Sequence, residues 1–146
     1  IRDAQESRGL GDVYKRQWVS GSDLPDVGTI DLPIGLNPAD KRKRKINGPQ
    51  AAKAVTHYRV IKQQAGYTLL EVQLETGRTH QIRVHFAAIG HPLVGDPLYN
   101  SSNGSPFLLL HSWKVDLPLP FTKERQLVEA PVPKHFRDFE QKLAKS

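Results

Sequence analysis

The chain has 146 residues, no cysteine, and 21 lysines and arginines against 15 acidic residues, a formal net charge of +6. That length suits one domain with a sizeable core, and the lack of cysteine excludes disulfides and thiolate metal sites. The positive balance favours anionic partners such as RNA. No apolar run is long enough for a membrane helix and no signal peptide is visible, so a cytoplasmic protein without membrane contacts is the expectation.

Residues 1–17 (IRDAQESRGLGDVYKRQ) are polar and aperiodic. The stretch DVYKRQ, 12–17, resembles a translated sequencing adapter, so 1–17 is expected to be a foreign or disordered leader, with the domain running from 18 to 146. Gly28 to Ile34 reads as a short strand whose Pro33 suggests an edge position. Leu36 to Gln50 reads as a loop tipped by five cations: Lys41, Arg42, Lys43, Arg44 and Lys45. Those cations suit an RNA backbone, or alternatively a solvated, mobile loop.

Ala54 to Gln63 and Tyr67 to Glu75 predict two strands joined as a hairpin. In the second, Leu70, Val72 and Leu74 alternate with Glu71, Gln73 and Glu75, as a strand with one buried face requires. Tyr58 is expected in the core or on the sheet. Gly77 marks a strand-to-helix turn, and Thr79 is the expected helix N-cap. Ile82, Phe86 and Ile89 share one helical face, and Gly90 and Pro92 end the helix. Arg83 lies at the edge of that apolar stripe, roughly 60° from Phe86. There it either points inward to a carboxylate or phosphate, or lays its stem over the core with its head in water.

Asp96, in Gly95-Asp96-Pro97, is expected to hold a turn. His80 and His85 are five apart, not on one helical face, which argues against a metal site. His80 is expected to position RNA or the turn, His111 to satisfy backbone groups, and Arg78 to meet phosphate. Asn100 to Ser105 predicts a flexible turn, Phe107 to Leu117 a central strand, and Gln126 to Ala130 a further short strand. Pro133 opens a terminal helix with Phe136, Phe139 and Leu143 at helical spacing.

The stretches TGRTHQIRVH (76–85), GHPLVGDPLY (90–99) and LLLHSW (108–113) closely resemble the C-terminal signature of the RluA-type pseudouridine synthases. The resemblance implies an α+β fold with a mixed, mainly antiparallel sheet and few helices, here an incomplete catalytic domain. It implies isomerisation of uridine to pseudouridine in ribosomal or transfer RNA, without metal or organic cofactor. By position in the motifs, Arg83 matches the basic residue that pairs with the catalytic aspartate, and Leu110 the aliphatic residue near the target base. Arg78, His80 and Gln81 join Leu110 as expected substrate contacts.

The family's nucleophilic aspartate lies in an upstream His-Arg-Leu-Asp segment absent here, and its base-stacking tyrosine comes from a strand upstream of Trp18. The chain is therefore expected to be inactive alone. An Arg83 left without its carboxylate would carry an uncompensated desolvation penalty, with marginal folding as the expected result. The alternative is a non-catalytic basic RNA-binding module.

Overall fold

The computed structural model describes residues 12–100, 105, 107–118 and 125–145. Among these residues, eight strands and two helices follow in order: β1 (Asp12–Ser20), β2 (Val27–Asp31), β3 (Ile34–Leu36), β4 (Arg44–Ile46), β5 (Val55–Gln64), β6 (Tyr67–Leu74), α1 (Gln81–Ala88), β7 (Leu110–Pro118), β8 (Arg125–Glu129) and α2 (Lys134–Ala144). Six strands form one sheet in the order β2-β5-β6-β1-β7-β8, and β3 pairs with β4 in a separate ribbon. Each of these pairings is antiparallel, so the fold is α+β with a mainly antiparallel sheet.

Strand alternation sorts apolar side chains onto the two faces of the sheet. Val19 and Leu70 join Ile82 and Phe86 of α1 in one cluster, while their neighbours Trp18 and Leu69 join Phe136, Phe139 and Leu143 of α2 in another. The sheet is thus covered by α1 on one side and α2 on the other. Tyr58 is buried and meets Phe86 edge to face. The β5–β6 hairpin turns on Ala65 (φ 52°) and Gly66 (φ 83°), two left-handed residues in the turn whose twist suits antiparallel strands. The flexible turn expected at Asn100 to Ser105 falls largely outside the described residues.

Four expectations need correction. Pro33 lies between β2 and β3 rather than inside a strand, although β2 does sit at the sheet edge. The region read as a loop from 36 to 50 contains β4, because Arg44 to Ile46 find backbone partners in β3. The N-cap of α1 is His80 (φ 56°), not Thr79. The side chain of Gln81 secures this turn instead, with Oε1 accepting from the Thr76 hydroxyl at 2.6 Å and from the Arg78 N–H at 3.0 Å. At the other end, Gly90 (φ 85°) donates to Ala87 O and His91 to Phe86 O, which closes the helix as its glycine suggests.

The fourth correction concerns residues 12–17, which form most of β1 between β6 and β7. Two flanking strands offer backbone partners whatever the side chains, and that outweighs the polar composition. The side chains fit the position poorly. Among the described residues, Gln17 is fully buried with neither amide atom hydrogen-bonded, and Arg16 Nε is buried without a hydrogen-bond partner although the guanidinium stacks on Trp113 at 3.8 Å.

His85 shows a buried polar group that is satisfied. Its Nδ1 meets Thr56 Oγ1 and its Nε2 meets Leu32 O, both at 2.8 Å, an arrangement that suits a neutral ring donating to the carbonyl. Burial pushes its pKa below the ordinary 6.5. As pH falls, the unfolded chain therefore binds the proton first, so stability is complete above that value and declines as pH drops through it. The urea midpoint is expected to fall between about pH 7.5 and about pH 5.5, with a shallower fall in His85→Gln. Equal slopes would contradict this assignment.

Candidate active site

A cleft of about 280 Å³ opens where the sheet meets the N-terminal turn of α1. β1 contributes Lys15, β6 contributes Leu74, β7 contributes Leu110, and the segment from Gly77 to Arg83 supplies Arg78, His80, Gln81 and Arg83. All five residues expected from the sequence to form the catalytic and substrate site therefore line one concavity. Leu74, Ile82 and Leu110 give it apolar surface, and Lys15, Arg78 and Arg83 give it positive charge.

Arg83 points inward and is paired within the chain. Its Nε donates to Asp96 Oδ2 at 2.9 Å and its Nη2 to Asp96 Oδ1 at 2.7 Å, the fork-to-fork geometry that suits guanidinium and carboxylate. The Arg83 side chain is 16% exposed and that of Asp96 is fully buried. Asp96 also holds the turn expected of it, since Oδ1 accepts from the N–H groups of Leu98 and Tyr99. The expectation of a guanidinium stranded without a carboxylate is thus overturned: the partner lies 13 residues downstream, brought back by the reversal at Gly90 and Gly95.

The electrostatics follow from this pairing. Burial alone would raise the Asp96 carboxyl, but the hydrogen bonds from Arg83 and the turn N–H groups outweigh it and hold the pKa below its ordinary value. The same bond to Asp96 raises Arg83. Burial, then the charges of Arg83 and Arg44, push His80 down, favouring a neutral ring. Burial also lowers Lys15.

Tyr99 ties these parts together. Its hydroxyl accepts from the Arg44 N–H at 2.8 Å and meets His80 Nδ1 at 2.8 Å, which a neutral His80 satisfies as acceptor. The Arg83 guanidinium carbon lies 5.2 Å from the Tyr99 ring centroid. Sequence reasoning missed Tyr99, Lys15 and the pairing role of Asp96. Asp96 alone carried a signal, a carboxylate downstream of an inward-facing arginine, but its turn motif supplied a sufficient local explanation.

Other expected contacts need adjustment. Gln81 is buried and its amide is fully engaged, with Nε2 donating to Val55 O and Thr56 Oγ1 and Oε1 accepting as described above. It builds the cleft wall and has no hydrogen-bonding capacity left for a substrate. His111 Nε2 is buried with no hydrogen-bond partner among the described residues. It follows Leu110 on β7 and so faces the opposite side of the sheet, against Phe136.

The basic run does not enter the cleft. Arg42 pairs with Asp40, whose carboxyl that contact lowers to about 2, and Arg44 lines a neighbouring hollow. Among the described residues, no group of three or more histidine, cysteine or acidic side chains is placed to hold a metal. Nor is any helix among them long and apolar enough to cross a membrane.

Comparison with known proteins gives a consistent result. A profile for a family described as RNA pseudouridylate synthase matches residues 6–88, more than half the chain, including residues of β1 that the sequence set apart. An uncharacterized RNA pseudouridine synthase of Chloroflexus aurantiacus is 40% identical over 134 residues, covering 90% of this chain and 42% of its own length. Ribosomal large subunit pseudouridine synthase D of Nitrosomonas europaea is 41% identical over 122 residues, covering 75% of this chain and 35% of its own. This chain thus spans less than half the length of either relative. The solved structure of human RNA pseudouridylate synthase domain containing 4 shares the fold, with a TM-score of 0.75 and 23% identity over 96% of this chain and 64% of that one.

Proposed function

The chain belongs to the RNA pseudouridylate synthase family, and from that premise we propose that the whole protein converts uridine to pseudouridine in ribosomal or transfer RNA in the cytoplasm. In that reaction the N1–C1′ bond of uridine breaks, a C5–C1′ bond forms, C5 loses its proton to solvent and N1 gains one. The target nucleotide sits in the cleft, with its base against Leu110 and its phosphate near Arg78.

The observation that carries this reading is the convergence of Arg78, His80, Arg83 and Leu110 on one concave surface. Arg83 is held rigidly by Asp96 through Nε and Nη2, which leaves Nη1 for a carboxylate that the whole protein brings to the cleft. Asp96 itself is no nucleophile, because it is fully buried and both oxygens accept hydrogen bonds, Oδ2 from Arg83 and Oδ1 from Arg83 and Leu98.

Isomerisation releases the hydrogen on C5, so RNA carrying tritium at that carbon reports turnover directly. This chain is expected to bind such RNA without releasing tritium above background. Arg78→Gln is expected to weaken that binding about tenfold, the size of a lost charge-assisted contact. Tritium release would show that a nucleophile is present in this chain, and unchanged binding by Arg78→Gln would overturn the placement of the substrate.

A further inference from the structure

A second hollow, about 200 Å³, lies beside the cleft between the β3–β4 ribbon and the turn that precedes α1. Arg44, Arg78, Thr79 and Gln50 line it together with Ile34 and Leu36, and none of the described residues lining it is acidic. Arg78 lines both cavities. We infer that this hollow is a subsite for the RNA nucleotide adjoining the target uridine, with the bridging phosphate held between Arg44 and Arg78. The inference rests on the function proposed above and extends it from one nucleotide to the step along the strand.

Three features support it. Arg78 is anchored by its Nε, which donates to Lys53 O at 2.7 Å, so both terminal nitrogens remain for a phosphate shared between the cavities. Among the described residues Arg44 spends one side-chain nitrogen, on Lys43 O, while its backbone N–H is fixed by the Tyr99 hydroxyl. That hydroxyl also meets His80 in the cleft, so one side chain sets the spacing of the two cavities. The volume is below the ~300 Å³ typical of the smallest drug-sized pockets, which suits a phosphate and sugar better than a whole extra base pair. Phosphate contacts of this kind fix register along the strand without reading sequence.

The test uses this chain with three probes: uridine, which carries no phosphate, the trinucleotide UpUpU, and UpUpU with neutral methylphosphonate linkages. Affinities and perturbed amides come from NMR titration. Arg44→Gln is expected to weaken UpUpU about tenfold while leaving uridine unchanged. Lys145→Gln, a charge loss just beyond α2, is expected to change neither. The methylphosphonate trinucleotide is expected to bind the unsubstituted chain as weakly as UpUpU binds Arg44→Gln, and to be insensitive to that substitution.

Equal weakening of all three probes by Arg44→Gln, or an equal loss of UpUpU binding with Lys145→Gln, would overturn the subsite. If UpUpU perturbs the amides of His80 and Arg83 but ignores Arg44→Gln, only the subsite fails. If no probe perturbs the cleft, the proposed function fails with it.

Discussion

Asp96→Ala is expected to lower the unfolding free energy by roughly 3–5 kcal/mol, the usual cost of removing one partner from a buried ion pair. The substitution strands the Arg83 guanidinium at 16% exposure and frees the N–H groups of Leu98 and Tyr99 that Asp96 now accepts. For a chain of this size that corresponds to a fall of about 10 °C in Tm. The double variant Arg83→Met with Asp96→Ala is expected to be less destabilised than the sum of the two single changes, since no uncompensated charge then remains buried. Urea titrations of all four proteins measure the coupling, and additive losses would show that the pair contributes nothing as a pair. Because the carboxyl is held below its ordinary 3.8, its stabilisation is complete above that value and is lost as pH falls below it.

Gln17→Leu is expected to raise stability by about 2 kcal/mol, whereas most substitutions at buried positions lower it. Gln17 is fully buried, and neither its Oε1 nor its Nε2 has a hydrogen bond among the described residues. Its cross-strand neighbours are Leu70 on β6 and Leu110 on β7, which belong to or pack against the cluster under α1. Leucine nearly matches glutamine in volume, removes the unpaired amide and extends that cluster. A Tm rise of about 5 °C is the corresponding shift. A fall would mean that the amide has a partner and that β1 suits its polar run.

The parts of this fold set by local side-chain patterning were the legible ones. Alternation along Leu70, Val72 and Leu74 located β6, Gly66 located the hairpin turn, and the spacing of Phe136, Phe139 and Leu143 located α2. Less legible was anything decided by a partner distant in sequence. β1 was hidden because a strand between two others is held by backbone bonds that composition does not show. The Arg83–Asp96 pair was hidden because helical phase fixes only that Arg83 stands at the stripe's edge; its partner depends on how the chain returns after Gly90. Thr79 lost the cap for a local reason, since the side chain of Gln81 reaches back to the same turn. The cleft residues themselves were readable, because four of the five sit within six consecutive positions from Arg78 to Arg83.

The most direct test of the functional account is a crystal structure of this chain with a short uridine oligonucleotide. The expected result is one uracil packed against Leu110 in the cleft, with Arg78 or Arg83 within hydrogen-bonding distance of that nucleotide. An oligonucleotide bound against α2 or along the outer face of the sheet, with the cleft empty, would contradict it.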